Sequence, residues 1–212
     1  MKAWKETGKT LVLGVLAGVS ISLGGTVFLM SADKTVGALL FAVGLFCVCA
    51  FGFSLFTGKV CYVFDNDRKY ACALPVIWLG NLIGAVGTAF LESVTRIGPG
   101  LAEKAATVCQ AKLDQSPLSA FILAVFCNMM IYIAVEGYKN IPHEVGKYLA
   151  ILFGVVVFIL CGFEHCVANM YYFTAGNAWG WKAAGYLLLM TAGNAAGGVL
   201  IPLLRKLAKP AA

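Results

Sequence analysis

Charge is what this sequence has least of: 12% of its 212 residues are Asp, Glu, Lys or Arg, against 60% apolar. A soluble domain carries about a quarter charged residues, so the composition excludes a water-soluble globular protein and predicts an integral membrane protein. Histidine is almost absent, with only His143 and His165. That scarcity argues against a membrane redox enzyme with histidine-ligated haem, which needs two axial ligands from facing helices, whereas His143 lies in a polar stretch. The eight cysteines contain no Cys-x-x-Cys, and most lie inside apolar runs. They read as reduced packing residues, and no metal or cofactor is expected. The net charge of +6 is modest, and nucleic acid is not an expected partner. No processing site follows the first apolar run, so no cleavable signal is expected.

Glycine, by contrast, is abundant at 24 residues, and small residues let helices approach closely in lipid. Residues 10–30 form an uncharged run of the length a helix needs to cross a bilayer. A second run, 36–64, is too long for one straight helix and is interrupted at Leu55-Phe56-Thr57-Gly58-Lys59. The third span covers 72–91. Residues 92–117 mix charged and small residues and read as a surface connection, partly helical. The fourth span is 118–135; residues 136–147 form a polar, exposed stretch. The fifth span starts near Tyr148 and breaks around Gly162-Phe163-Glu164-His165, and the sixth covers 183–204. Trp179 and Trp181, in the turn before it, suit a membrane interface.

Six spans put both termini on one side. That side carries Lys2, Lys5, Lys9, Arg68, Lys69, Lys139, Lys147, Arg205, Lys206 and Lys209; the other carries Lys34, Arg96, Lys104, Lys112 and Lys182. The positive-inside rule therefore predicts cytoplasmic termini in a multi-pass cell (inner or plasma) membrane protein. A shared pattern, Gly80-Asn81-x-x-Gly84-x-Val86 and Gly193-Asn194-x-x-Gly197-x-Val199, sits in the third span of each half. An odd number of spans per half requires opposite orientations, so the chain is read as one channel domain, 1–212, with inverted repeats at about 10–91 and 118–204. Broken helices at matching places in such repeats point to a transport site near the midplane.

The residue that stands out is His165, which can exchange a proton or donate to an anion in the physiological range. A lone buried histidine is ordinarily structural, bonded to backbone; the helix break and its counterpart in span two shift the balance towards function. Glu164, about 100° around a helix from it, reads as an inward anchor for backbone N–H groups freed by the break. Thr57 offers a hydroxyl to an anion or a helix cap. Lys112 is able to supply a positive field, although a loop lysine is commonly just solvated. Asn81 and Asn194 read as interhelical ties, and Asn128 and Asn169 as amides that line the pathway or orient the imidazole. Phe41, Leu45, Leu55, Phe56 and Phe158 flank the breaks; apolar residues there form constrictions or plain core.

LFTGK at 55–59, WLGN at 78–81, CN at 127–128, GFEHCVANM at 162–170 and GN at 193–194 resemble, in order and spacing across all six spans, the formate/nitrite transporter family. The resemblance implies an all-α, aquaporin-like fold of six transmembrane helices with the second and fifth broken, a homopentamer in the bilayer, and small monovalent substrates: formate, nitrite or hydrosulfide. It implies a channel or transporter for weak-acid anions, not an enzyme; passive passage and proton coupling through the central histidine both stay open. Thr57 and His165 then correspond to the family's polar pair, Lys112 to its vestibule lysine, Asn128 and Asn169 to pore amides. Phe41, Leu45, Leu55, Phe56, Ile131 and Phe158 correspond to constriction residues. The sequence departs from the family in its short tail before span one, with no amphipathic N-terminal helix, and in a short loop after span two. The alternative is an aquaporin-like channel for small neutral solutes, which expects paired Asn-Pro-Ala motifs that the sequence lacks.

Overall fold

Nine α-helices carry the described part of the chain: α1 (Lys2–Met30), α2 (Lys34–Ala50), α3 (Phe56–Val60), α4 (Arg68–Ser93), α5 (Gly98–Asp114), α6 (Pro117–Asn140), α7 (Glu144–Leu160), α8 (Cys166–Ala175) and α9 (Trp181–Leu207). The computed structural model describes residues 2–208, with side chains from residue 6 onward. The side chains of Lys2 and Lys5, and Lys209, which entered the charge comparison above, lie outside the described residues.

Four helices, α1, α4, α6 and α9, are long and apolar enough to cross a membrane unaided. α2 and α7 have 17 residues each, about 25 Å at 1.5 Å per residue, short of a hydrocarbon core of roughly 30 Å. Each is followed by an extended stretch and a short helix, α3 or α8, so two of the six crossings are made in two pieces. Local chemistry starts several helices: the carboxylates of Asp33 and Asp67 accept from the Val36 and Tyr70 N–H groups, and Ser116 accepts from Ser119 ahead of Pro117, satisfying donors that helix starts otherwise leave open.

Glycine sets the closest contacts. A Cβ at Gly84 would collide with the Val15 carbonyl oxygen, and one at Gly197 with that of Val125, so α1 packs on α4, and α6 on α9, at backbone distance. The two breaks share one pattern of hydrogen bonds. Gly52 and Gly162 take positive φ, 70° and 67°, which glycine alone adopts without steric cost. The Phe53 N–H then returns to Val48 O and that of Phe163 to Phe158 O; the Ser54 N–H donates to Leu13 O and that of Glu164 to Leu123 O. The fold thus repeats itself, residue for residue, at both breaks.

The first break lies at 51–55 rather than at 55–59. Gly52 ends the preceding helix, so Phe56-Thr57-Gly58-Lys59-Val60 is already the next one. Residues 92–117 contain a 17-residue helix, α5, that buries Leu101, Ala105 and Cys109 and packs on α8. The polar stretch at 136–147 is absorbed into helix ends, leaving 141–143 as the turn.

Candidate functional site

Each short helix is seated in the other half of the fold: α3 touches α6 and α9, and α8 touches α1 and α4. This exchange brings the start of α3 to the start of α8. Thr57 Oγ1 lies 2.9 Å from His165 Nε2, with Thr57 fully buried and His165 2% exposed.

His165 is the N-cap of α8, its Nδ1 accepting the Ala168 N–H at 3.1 Å. With Nδ1 accepting, the proton of a neutral ring is assigned to Nε2, which donates to the Thr57 hydroxyl. The hydroxyl hydrogen of Thr57 is then free for a third group. The ring is held face-on by Phe158, with centroids 5.7 Å apart, and Phe158 meets Phe41 edge-on at 5.8 Å. His165 is therefore bonded to backbone through one nitrogen and to a polar side chain through the other. Thr57 does not cap α3; the N-cap is Leu55, with no side-chain bond.

The backbone groups freed at the breaks are taken by the two repeat-motif asparagines. Asn81 Oδ1 accepts the Phe56 N–H at 2.8 Å, while its Nδ2 donates to Gly14 O and Ser54 O. Asn194 does the same for Cys166 N–H, Ala124 O and Glu164 O. Both are fully buried. The anchoring role expected of Glu164 thus belongs to Asn194, because an amide has both a donor and an acceptor to offer a broken backbone and a carboxylate has only acceptors. Glu164 instead accepts from three side chains: Lys112 Nζ at 2.6 Å, Gln115 Nε2 at 2.7 Å and Asn169 Nδ2 at 2.8 Å.

Lys112 sits in the last turn of α5, with its side chain only 13% exposed, and is no freely solvated loop lysine. With Glu164, His165, Asn169 and Phe158 it lines a cavity of about 310 Å³, to which Gln115, Tyr172 and Lys34 also contribute. A second, smaller cavity of about 100 Å³ is lined by Leu55, Gly58, Lys59, Val135 and Lys139. The Thr57–His165 contact lies between them, since His165 borders the first cavity and Leu55 and Gly58, flanking Thr57, border the second.

Asn128 donates to Thr57 O at 3.0 Å, in space that exists because residue 198 is glycine: a Cβ there would meet the Asn128 amide nitrogen. The amide groups of Asn128 and Asn169 bond Thr57 O and Glu164 Oε2 rather than the imidazole. Of the six apolar residues singled out, Phe158 borders one cavity and Leu55 the other; Phe41, Leu45, Phe56 and Ile131 are buried in the core and border neither. The sequence reading missed Gln115, Tyr172, Lys59 and Lys139. Tyr172 had a signal: residues 165, 169 and 172 fall on one helix face. Lys59 and Lys139 come from distant segments, with no shared local pattern.

A family model described as formate/nitrite transporter matches residues 1–207. The chain is 32% identical to the uncharacterized transporter YrhG of Bacillus subtilis, over 90% of this chain and 80% of that one. It is 30% identical to a probable formate transporter of Methanothermobacter thermautotrophicus, over 94% and 88%. Among solved structures it is similar to a pentameric formate channel with formate bound, with a TM-score of 0.77 and 25% identity over 96% of this chain and 97% of that one.

Proposed function

The chain belongs to the formate/nitrite transporter family, and on that premise we propose that it passes small monovalent weak acids, formate or nitrite foremost and hydrosulfide as a further candidate, through a pore in each protomer of a homopentamer. It is a membrane transporter rather than an enzyme. The observation that carries the reading is the Thr57–His165 hydrogen bond, buried between two cavities that each hold lysine.

The barrier to an anion in a bilayer is loss of hydration. Lys112 on one side, and Lys59 and Lys139 on the other, raise the local concentration of anions at the mouths, although the Glu164 carboxylate offsets much of the Lys112 charge. Phe158 and Leu55 then meet the substrate with apolar surface that excludes hydrated ions, backed by Phe41, Leu45, Phe56 and Ile131. Between these constrictions the free hydroxyl hydrogen of Thr57 donates to a substrate oxygen, and the imidazole behind it stabilises the charge through the hydrogen-bonded chain or by sharing its proton. Asn128 fixes Thr57 through its backbone, and Asn169 holds Glu164. The excess of Lys and Arg on the terminal side supports cytoplasmic termini.

Purified protein in proteoliposomes should take up labelled formate, faster at lower external pH. His165→Phe should abolish most of that uptake while leaving the pentamer intact by size exclusion; undiminished, pH-dependent uptake by this variant is the result that removes the histidine from the mechanism.

A further inference from the structure

Two residues that line the cavity of about 310 Å³ each carry a buried polar atom with no hydrogen-bond partner among the described residues: the Tyr172 hydroxyl and the Asn169 amide oxygen. Tyr172 is 3% exposed and Asn169 fully buried, and both line the cavity with Lys112 and His165. Leaving such groups unpaired costs about 1–3 kcal/mol each, so two of them on residues of one cavity call for a partner. They lie three residues apart on α8, hence on one face, about 5–6 Å apart at their Cβ atoms.

Their chemistry is complementary. The Asn169 amide cannot be turned around, because its nitrogen is committed to Glu164 Oε2 and Met190 Sδ; the group left unpaired is an acceptor only. An amide oxygen repels an anion's oxygen and requires a ligand that carries an O–H or N–H. The Tyr172 ring lies 5.8 Å from Lys112 Nζ. Its phenol is a donor at neutral pH. The lysine charge beside them is already engaged by Glu164. Lys34, also on the lining, donates to the Leu160 carbonyl oxygen; the two unpaired groups themselves are one donor and one acceptor, which matches an acid bearing both C=O or N=O and O–H.

We propose that Tyr172 and Asn169 form a donor–acceptor pair that binds the protonated, neutral form of an oxygen-bearing weak acid in this cavity, ahead of His165, and that Tyr172 is the residue that favours such acids over hydrogen sulfide. This rests on the transport reading above. The acid's O–H donates to Asn169 Oδ1, and its doubly bonded oxygen accepts from Tyr172. Hydrogen sulfide, with weak donors and no oxygen, gains little from the pair.

The test is initial uptake of formate and of sulfide by the full-length protein and by Tyr172→Phe in proteoliposomes, at two pH values. The substitution should raise the KM for formate about tenfold, the worth of one hydrogen bond, with the maximal rate within about twofold and sulfide uptake unchanged. Expressed as formic acid concentration, the KM shift should be the same at both pH values. An unchanged formate KM, as expected if only water pairs with the hydroxyl, overturns the proposal, and so does equal loss for both substrates, the mark of a packing role. Because the hydroxyl has no described protein partner, the variant's thermal midpoint should not fall; loss of the folded pentamer would reveal such a partner and also count against the proposal. Failure of the unsubstituted protein to carry either substrate would instead sink the transport reading.

Discussion

Thr57 and His165 share a hydrogen bond of 2.9 Å across 108 residues of sequence, and each reaches it from the first turn or cap of a helix that begins inside the protein. Neither side chain alone explains the contact. Gly52 and Gly162 turn the chain at matching places, and Asn81 and Asn194 hold the two broken, buried backbone ends near which the side chains meet.

Thr57→Val removes the hydroxyl and keeps the shape. Formate uptake in proteoliposomes should fall by about tenfold or more, since a dehydrated anion loses a charge-assisted hydrogen bond worth roughly 1.5–3 kcal/mol. Thr57→Ser should restore most of the rate. Equal rates for the Val and Ser variants would show that the hydroxyl does not meet substrate.

Lys112→Met leaves Glu164 as a buried carboxylate with only amide donors, Gln115 and Asn169. Breaking one partner of a buried ion pair costs about 3–5 kcal/mol, so the variant should show a clearly lower thermal midpoint in detergent. Adding Glu164→Gln should recover a large part of the loss. If the double variant is no more stable than the single one, the pair is not coupled.

Asn194→Ala orphans the Cys166 N–H and the Glu164 carbonyl oxygen at the second break, and Asn81→Ala does the same for the Phe56 N–H and the Ser54 carbonyl oxygen at the first. Each should destabilise the protomer by about 1–3 kcal/mol or more and reduce uptake through displacement of α8 or α3. Faster hydrogen exchange confined to residues near the affected break is the accompanying signature.

Gly197→Ala and Gly185→Ala both place a methyl group on α9, with opposite expectations. At Gly197 the methyl meets the Val125 carbonyl oxygen, so α6 and α9 must separate and the yield of folded protein should drop. At Gly185 nothing lies within 4 Å in the protomer, and exchanging Gly for Ala in a helix favours the fold by up to about 1 kcal/mol. Thermal midpoints of the two variants, measured side by side, decide the point.

The repeat is legible in the sequence because its markers are local: apolar runs of crossing length, a Gly-Asn motif in the third span of each half, and charge next to glycine in the middle of the fifth. The position of the first break is less legible: Lys59 is the conspicuous interruption of the apolar run, yet Gly52 is the residue that takes positive φ. Adjacency in sequence points to Glu164 as the holder of the broken backbone, whereas Asn194 does so from another helix.

Composition and run length by themselves determined that this chain crosses the membrane six times and that one histidine lies at depth, because the cost of moving charge and open backbone into hydrocarbon acts on each segment separately. Tertiary structure decided which groups meet: that Lys112 folds back onto Glu164, that two asparagines rather than the carboxylate hold the broken ends, and that Tyr172 and Asn169 face one cavity. Those pairings depend on distances of about 3 Å between atoms far apart in the chain, and hydrogen bonds so short-ranged leave no periodic trace in the order of residues.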